Sequence, residues 1–257
     1  MTEGRHAQPP TYHRAVSLAD ARRHLGRRGA CVYAGGTDLL VALRAGAPWV
    51  AGVRHLVDIK GLDALRGIAR VGDGIRIGSL VTGAELATSA LVRRVAPVLC
   101  EAAALAAAPW VRARGTVGGN LMSPHPAGDL ATALLAMGST AEFVTPAVLR
   151  RSIAIQALLA GHARIPPGAV MTGVRAPVAP SSAYQRVGRR LAFTRAVIAV
   201  GVVRHGAQLR VAAAGLGARP MLLAEGATVP GEDGALVDGL VRRAIGRLRP
   251  ARGTGRA

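Results

Sequence analysis

The stretch "RGTVGGNLMSPHPAGDL", Arg114 to Leu130, crowds glycines, an asparagine, two prolines and an aspartate into one short segment. Such a segment reads as a glycine loop; it suits a backbone that must approach something closely. A second glycine turn, "YAGGTDL" from Tyr33 to Leu39, precedes it by about eighty residues. Each turn joins extended chain to helix or turn and leaves successive N–H groups near the surface, which is how chains build nests for anions. Two nests match the two charges of a diphosphate. Thr37 and Thr116 add hydroxyl donors, with Asn120 and Asp129 close behind. Read on their own, the stretches are equally compatible with two structural turns. Neither is a G-x-G-x-x-G with a following acid, nor a loop ending in G-K-[ST], so the commoner nucleotide motifs are excluded.

Working outward, the chain reads as mixed helix and strand without an internal repeat. Ser17 to Gly26 carries the start and stop signals of a helix. "ACVYAGGTDLLVALRAG" predicts a strand, the glycine turn and a helix. "HLVDIKG" and "GIRIGSLV" predict strands, with "VGDG" as a turn. "GAELATSALVRRVAPVLCEAAALAAAP" predicts helix in two pieces broken at Pro97, and "DLATALLAMG" a helix closed by Gly138. Ala169 to Arg175 predicts a short strand within a Pro-rich connection. "RAVIAVGVVRHGAQLRVAAAGLGARP" reads as either a helix or a buried strand, a turn at His205 and Gly206, then a strand. "EDGALVDGLVRRAIGRLRP" predicts an amphipathic helix, and the tail "ARGTGRA" a frayed end. A boundary is expected near Ala176.

Composition narrows the function. The net charge is +19, yet the arginines are scattered through apolar segments rather than gathered in a run with interleaved aromatics, and aromatic residues make up only 3%. That pattern argues against nucleic acid. Between Phe143 and Ala224 stand eleven arginines and no acid, so this part supplies no carboxylate and offers a positive face to an acidic partner. Cys31 and Cys100 lie far apart, outside any metal-ligand spacing, and read as small buried apolar residues. No residue stands out as a metal ligand or as a catalytic group. No apolar run is long enough for a membrane span and the N-terminus lacks a secretory pattern, which predicts a cytoplasmic protein.

The blocks "AGGTDLL", "RARGTVGGNLMSPHPAGDLATALLAM" and "YQRVGRR", with "LVDIKGLDALRGI", "IRIGSLVTGAEL" and "LGARPM" in the same order, resemble the FAD-binding medium subunit of the molybdenum hydroxylases, the carbon monoxide dehydrogenase and xanthine dehydrogenase type. The resemblance runs from about Tyr12 to Arg249. It implies an α+β, two-subdomain FAD-binding fold of the PCMH or vanillyl-alcohol-oxidase kind over residues 1–176 (about 12–57 and 58–176), followed by a small α/β C-terminal domain, 177–257. Carried over residue by residue, it implies that Val32, Tyr33, Ala34, Gly35, Gly36, Thr37, Asp38 and Leu39 wrap the FAD diphosphate, and that Thr116, Gly118, Gly119 and Asn120 complete the clasp. Asp129 would hydrogen-bond cofactor hydroxyls, Met171 give an apolar contact, Tyr184 lie near the flavin edge, and Arg186 stand where the family usually has Lys.

The family's "IGxPQVRNRGT" reads "AAAPWVRARGT" here, so Ala106 replaces a larger residue over the cofactor and Trp110 is expected to fill the space. The usual "GGNLxNASPAGDL" is altered at Met122, Ser123, Pro124 and His125, and Ala192 and Phe193 stand where an Asp is usual. The implied function is electron transfer. A large partner subunit carries molybdenum cofactor, a small one carries [2Fe–2S] clusters, and FAD on this chain collects the electrons, in a dimer of heterotrimers. The alternatives are a self-contained flavin oxidoreductase and a scaffold subunit that has lost FAD.

Overall fold

The structure is a computed structural model that describes residues 9–123, 125–126, 128–147, 149–188, 196–205, 208–223 and 232–247. It begins with β1 (Thr11–Arg14), α1 (Leu18–Leu25), β2 (Ala30–Tyr33), α2 (Leu39–Ala45) and β3 (His55–Asp58), whose strands form a parallel sheet in the order β1-β3-β2. The expected cap is present: the Ser17 hydroxyl accepts from the Asp20 N–H at 3.1 Å. Ala21, Leu25, Val57 and Ile59 pack together, and Leu80 and Val170 join them from the next unit.

The middle unit contains β4 (Ile68–Val71), β5 (Gly74–Gly78), α3 (Gly83–Thr88), α4 (Ala90–Val95), α5 (Pro97–Leu105), α6 (Pro109–Arg112), α7 (Val117–Met122), α8 (Asp129–Ala136), β6 (Thr140–Val144), β7 (Arg150–Ala154), α9 (Ile155–Leu159) and β8 (Val170–Pro177). The helical stretch expected in two pieces comes in three, α3, α4 and α5. Pro97 starts α5 as anticipated, but the chain also breaks at Ser89, whose backbone is extended and whose hydroxyl caps the Val92 N–H. The strands form an antiparallel sheet in the order β4-β5-β8-β6-β7. Its alternation sorts the side chains. Ile75, Ile77, Ala141, Phe143 and Val174 face the helices, while Arg76, Glu142 and Arg175 form an ion-paired cluster on the other side.

The last unit, β9 (Ser182–Gly188), β10 (Ala196–His205), β11 (Gln208–Ala214), β12 (Met221–Leu223) and α10 (Glu232–Gly246), is an antiparallel sheet in the order β12-β11-β10-β9 with one covering helix. The run "AVIAVGVV", open between helix and buried strand in sequence, is the strand β10. It lacks alternation because both faces are covered: α5 and α8 pack on one side and α10 on the other. β8 ends at Pro177 and β9 begins at Ser182, close to the expected boundary. The core nonetheless runs on, since Tyr184, Ala199 and Val203 pack with Leu134 and the middle helices. Gly206, the segment from Arg189 to Phe193 and the tail "ARGTGRA" lie outside the described residues. No helix among the described residues is long and apolar enough to cross a membrane.

Candidate functional site

The two glycine segments meet in space. A β-carbon at Gly35 would lie 2.1 Å from the Arg114 carbonyl oxygen, 2.9 Å from its carbon and 3.1 Å from the Gly115 Cα, so the two backbones touch there. The Thr37 hydroxyl lies 3.6 Å from where a Gly115 side chain would start. Gly36 is left-handed at φ +72°, and a side chain on it would strike the Tyr33 ring at 2.6 Å. Among the described residues the N–H groups of Ala34, Gly35, Gly36 and Thr37 have no hydrogen-bond partner. Four successive unpaired amides around a left-handed glycine are the donor pattern of an anion-binding nest.

Charged and aromatic side chains hold the first turn in place. The Lys60 ammonium sits 3.5 Å over the Tyr33 ring, Tyr12 meets that ring edge-on at 6.3 Å, and Lys60 pairs with the Asp58 carboxylate at 2.8 Å. Asp58 also accepts from the Tyr12 hydroxyl and the Lys60 N–H. Burial pushes the Asp58 carboxyl upward, but Lys60 and Tyr12 outweigh it and hold it below the usual carboxylate range. Sequence reasoning gave these supports no role. Their one signal is that Lys60, the only lysine in the chain, stands two residues after an acid.

The second segment behaves differently from the expectation of a second open nest. The Thr116 hydroxyl caps α7 by accepting from the Gly119 N–H at 3.1 Å, and the N–H groups of Val117 and Gly118 donate to Val81 and Ser79 at 2.9 Å. Its amides are therefore spent inside the chain, leaving the first turn as the amide donor. Gly118 packs on Ser79, where a β-carbon would lie 3.0 Å from the carbonyl oxygen. Gly119 is exposed, and a β-carbon there would meet only the Thr116 hydroxyl, at 3.0 Å. Asn120 ties α7 to α8, its side-chain oxygen accepting from the Ala131 N–H at 3.1 Å.

Asp129, at the first position of α8, is only 7% exposed. Its Oδ1 accepts from the Tyr184 hydroxyl at 2.7 Å and lies 3.6 Å from the Arg186 guanidinium, which also donates to the Leu105 carbonyl at the end of α5. Burial raises the Asp129 carboxyl above its ordinary value, against the pull of Arg186 and the Tyr184 hydrogen bond. The carboxylate also takes a hydrogen bond from its own backbone N–H. Tyr184 is 1% exposed, so in this conformation its ring braces Asp129 from within the core rather than facing a ligand. Met171 is likewise buried, opposite Phe143 in the sheet. Val32 and Ala34 pack on the core of the first unit, Leu39 is buried at the first position of α2 against Val50 and Leu56, and Asp38 is the residue before that helix.

Ala106 caps α5, and the residue after it, Ala107, is the one non-glycine with positive φ among the described residues, at +47°. Arg112 clamps this turn by donating to the carbonyls of Ala106 and Ala107 at 3.1 and 2.9 Å. Trp110 does not fill in beneath it; the side chain is 68% exposed. A left-handed alanine costs about 1–2 kcal/mol, partly offset by the greater unfolded-state freedom of glycine, about 0.4–1 kcal/mol. Ala107→Gly is therefore expected to stabilise the fold by about 0.5–1 kcal/mol, raising the thermal midpoint by about 1–3 °C. A lowered midpoint in calorimetry would contradict the strain at this position.

A cleft of about 380 Å³ lies elsewhere, between the outer face of the five-stranded sheet and Leu18 and Ala64, lined by Arg76, Glu142, Arg150 and Arg175. The amide donors of the first turn do not open into it. The residues at the glycine clasp fit a diphosphate: free amides on a left-handed turn, Thr37 beside them, and an exposed Gly119 that leaves room for a ligand.

The sequence profile described as FAD binding domain in molybdopterin dehydrogenase matches residues 5–179. The chain is 30% identical over 212 residues to the carbon monoxide dehydrogenase medium chain of Afipia carboxidovorans, covering 80% of this chain and 73% of that one. It is 39% identical over 142 residues to the xanthine dehydrogenase FAD-binding subunit of Escherichia coli O157:H7, covering 54% of this chain and 48% of that one. Among solved structures, the reconstituted CO dehydrogenase from Oligotropha carboxidovorans superposes with a TM-score of 0.81 at 26% identity, covering 93% of this chain and 97% of the other. With the α+β architecture and the diphosphate-shaped clasp already in hand, these matches settle the family: the chain belongs to the FAD-binding domains of the molybdopterin dehydrogenases and is an FAD-binding oxidoreductase subunit of the molybdenum hydroxylase type.

Proposed function

We propose that this chain is the electron-transfer subunit of a molybdenum-containing hydroxylase complex. It would take electrons from [2Fe–2S] clusters on a small partner subunit, fed by molybdenum cofactor on a large one, and deliver them through FAD to an acceptor. The observation that carries the reading is the run of four free amides from Ala34 to Thr37 locked against Arg114 and Gly115. In this arrangement the amides and the Thr37 hydroxyl hold the diphosphate, with Val32, Tyr33, Asp38 and Leu39 shaping the turn. Thr116, Gly118 and Asn120 fix the second segment so that Gly119 presents no side chain. Asp129 offers its carboxylate to a sugar hydroxyl, braced by Tyr184 and Arg186. Ala106 borders the site, and Met171 acts through the core that supports it. When bound, FAD supplies the ability to accept electrons singly and release them in pairs.

We further propose a FAD-binding region at 1–176 and a C-terminal domain at 177–257, assembled with the two partners as a dimer of heterotrimers in the cytoplasm. The widely separated Cys31 and Cys100 fit a chain that leaves the iron–sulfur clusters to a partner. The acid-free, Arg-rich segment from Phe143 to Ala224 fits acidic partner faces. The test is to purify the chain at native expression level and measure flavin, iron and molybdenum in the same fraction. All three together are expected. Flavin without either metal would favour a self-contained flavoprotein, and both metals without flavin a scaffold subunit.

A further inference from the structure

On β1 and α1, away from the glycine clasp, His13, Asp20 and His24 bring their side chains together. The His13 Nε2 lies 2.8 Å from Asp20 Oδ2, and the His24 Nε2 lies 3.5 Å from Asp20 Oδ1. One ligand atom from each of the three falls within 4.8 Å of the other two. Two ligands at zinc's usual bond lengths stand about 3.3–3.5 Å apart, so these gaps are close to those of a set around one ion. We propose that His13, Asp20 and His24 form a site for a divalent transition-metal ion of the zinc class.

Two features favour an ion over a set of plain hydrogen bonds. The residue types are the borderline-soft nitrogens and single carboxylate that suit zinc, with a coordination position left for water. The carboxylate is oriented from behind: the Val16 N–H donates to Oδ2 at 3.2 Å, and the Asp20 N–H is fixed by the Ser17 hydroxyl. The two imidazoles are stacked, with centroids 3.5 Å apart and planes 12° apart, so their in-plane lone pairs run side by side and one ring must turn about its side-chain bonds for both to meet the same ion. Arg23 currently pairs with Oδ1 at 2.5 Å, but its side chain is 73% exposed and free to swing into solvent as an ion enters. No metal signal is legible in the sequence, because His13 and His24 belong to different elements and only the fold joins them.

An ion here would pin β1 to α1 and stiffen the small parallel unit on which the Tyr33 turn is built. The test uses the untagged, chelator-stripped chain with zinc alone, titrated in competition with a chromogenic chelator. One equivalent of zinc is expected to bind at micromolar affinity or tighter and to raise the thermal midpoint. His13→Gln and His24→Gln, on separate elements, should each weaken binding at least tenfold while leaving flavin absorbance unchanged. Cobalt in place of zinc should give visible bands of a low-coordinate site, lost in the same variants. Should the variants bind zinc as tightly as the parent, or the parent bind none at micromolar concentration, the three residues are a hydrogen-bonded cluster and the proposal fails. If one variant loses its fold by circular dichroism, the other and the cobalt spectrum of the parent decide it.

Discussion

Gly35→Ala is expected to lower the thermal midpoint sharply and to remove FAD with it. The added methyl would start 2.1 Å from the Arg114 carbonyl oxygen. Neither partner is a movable side chain, so the clash is relieved only by separating the two glycine segments. Overpacking in a tight site costs about 1–3 kcal/mol; contact of backbone with backbone puts this change at the upper end or beyond. For a chain of this size about 3 kcal/mol corresponds to a loss of roughly 6–12 °C. Differential scanning fluorimetry reads it directly. An unchanged midpoint would mean that the two segments are not in contact, and the clasp would have no physical basis.

Gly119→Val is expected to do the reverse, abolishing FAD binding while the apo fold survives. Gly119 lies on the exposed side of α7, and a β-carbon there meets only the Thr116 hydroxyl at 3.0 Å. Exchanging glycine for valine inside a helix changes intrinsic propensity by only a few tenths of a kcal/mol, in valine's favour, so the apo midpoint should shift little. A branched side chain projecting where the ligand must lie is expected to weaken FAD by at least about a hundredfold, roughly 2.8 kcal/mol. Full flavin content in this variant would count heavily against placing the cofactor at α7. The two glycines thus separate roles that look identical in sequence: one holds the clasp together and the other keeps it open.

Much of this is legible in the sequence alone. The Ser17 cap, the strand leading into "GGTDLL" and the helix from Asp129 all follow from local rules, and local rules suffice there because a cap or a tight turn involves only neighbours in sequence. The order of the glycine blocks pointed to the family. What escaped lies in contacts between distant residues. The break at Ser89 needed the observation that its hydroxyl is used as a cap. The identity of β10 needed the knowledge that α8 and α10 cover both its faces. Strand β7 carries too little alternation to stand out, with Arg150, Arg151 and Ser152 in a row and all exposed.

At the site, both glycine turns looked like amide nests, and pairing with Ser79 and Val81, some forty residues away, removes the second. Tyr184 reads as a ligand contact until Asp129 takes its hydroxyl in the core. Asp58 and Lys60 stand in the block "LVDIKG" without a role legible there, and only the parallel pairing of β1 with β3 brings Tyr12 to Asp58.

The central claim is that the free amides from Ala34 to Thr37 recognise a diphosphate. Isothermal titration of the flavin-free chain with FAD and with riboflavin, which has the same ring and no phosphate, tests it most directly. FAD should bind at least about a hundredfold more tightly, a difference of roughly 2.8 kcal/mol. Equal affinity for the two would show that the ring alone is recognised and that the first glycine turn is only a turn.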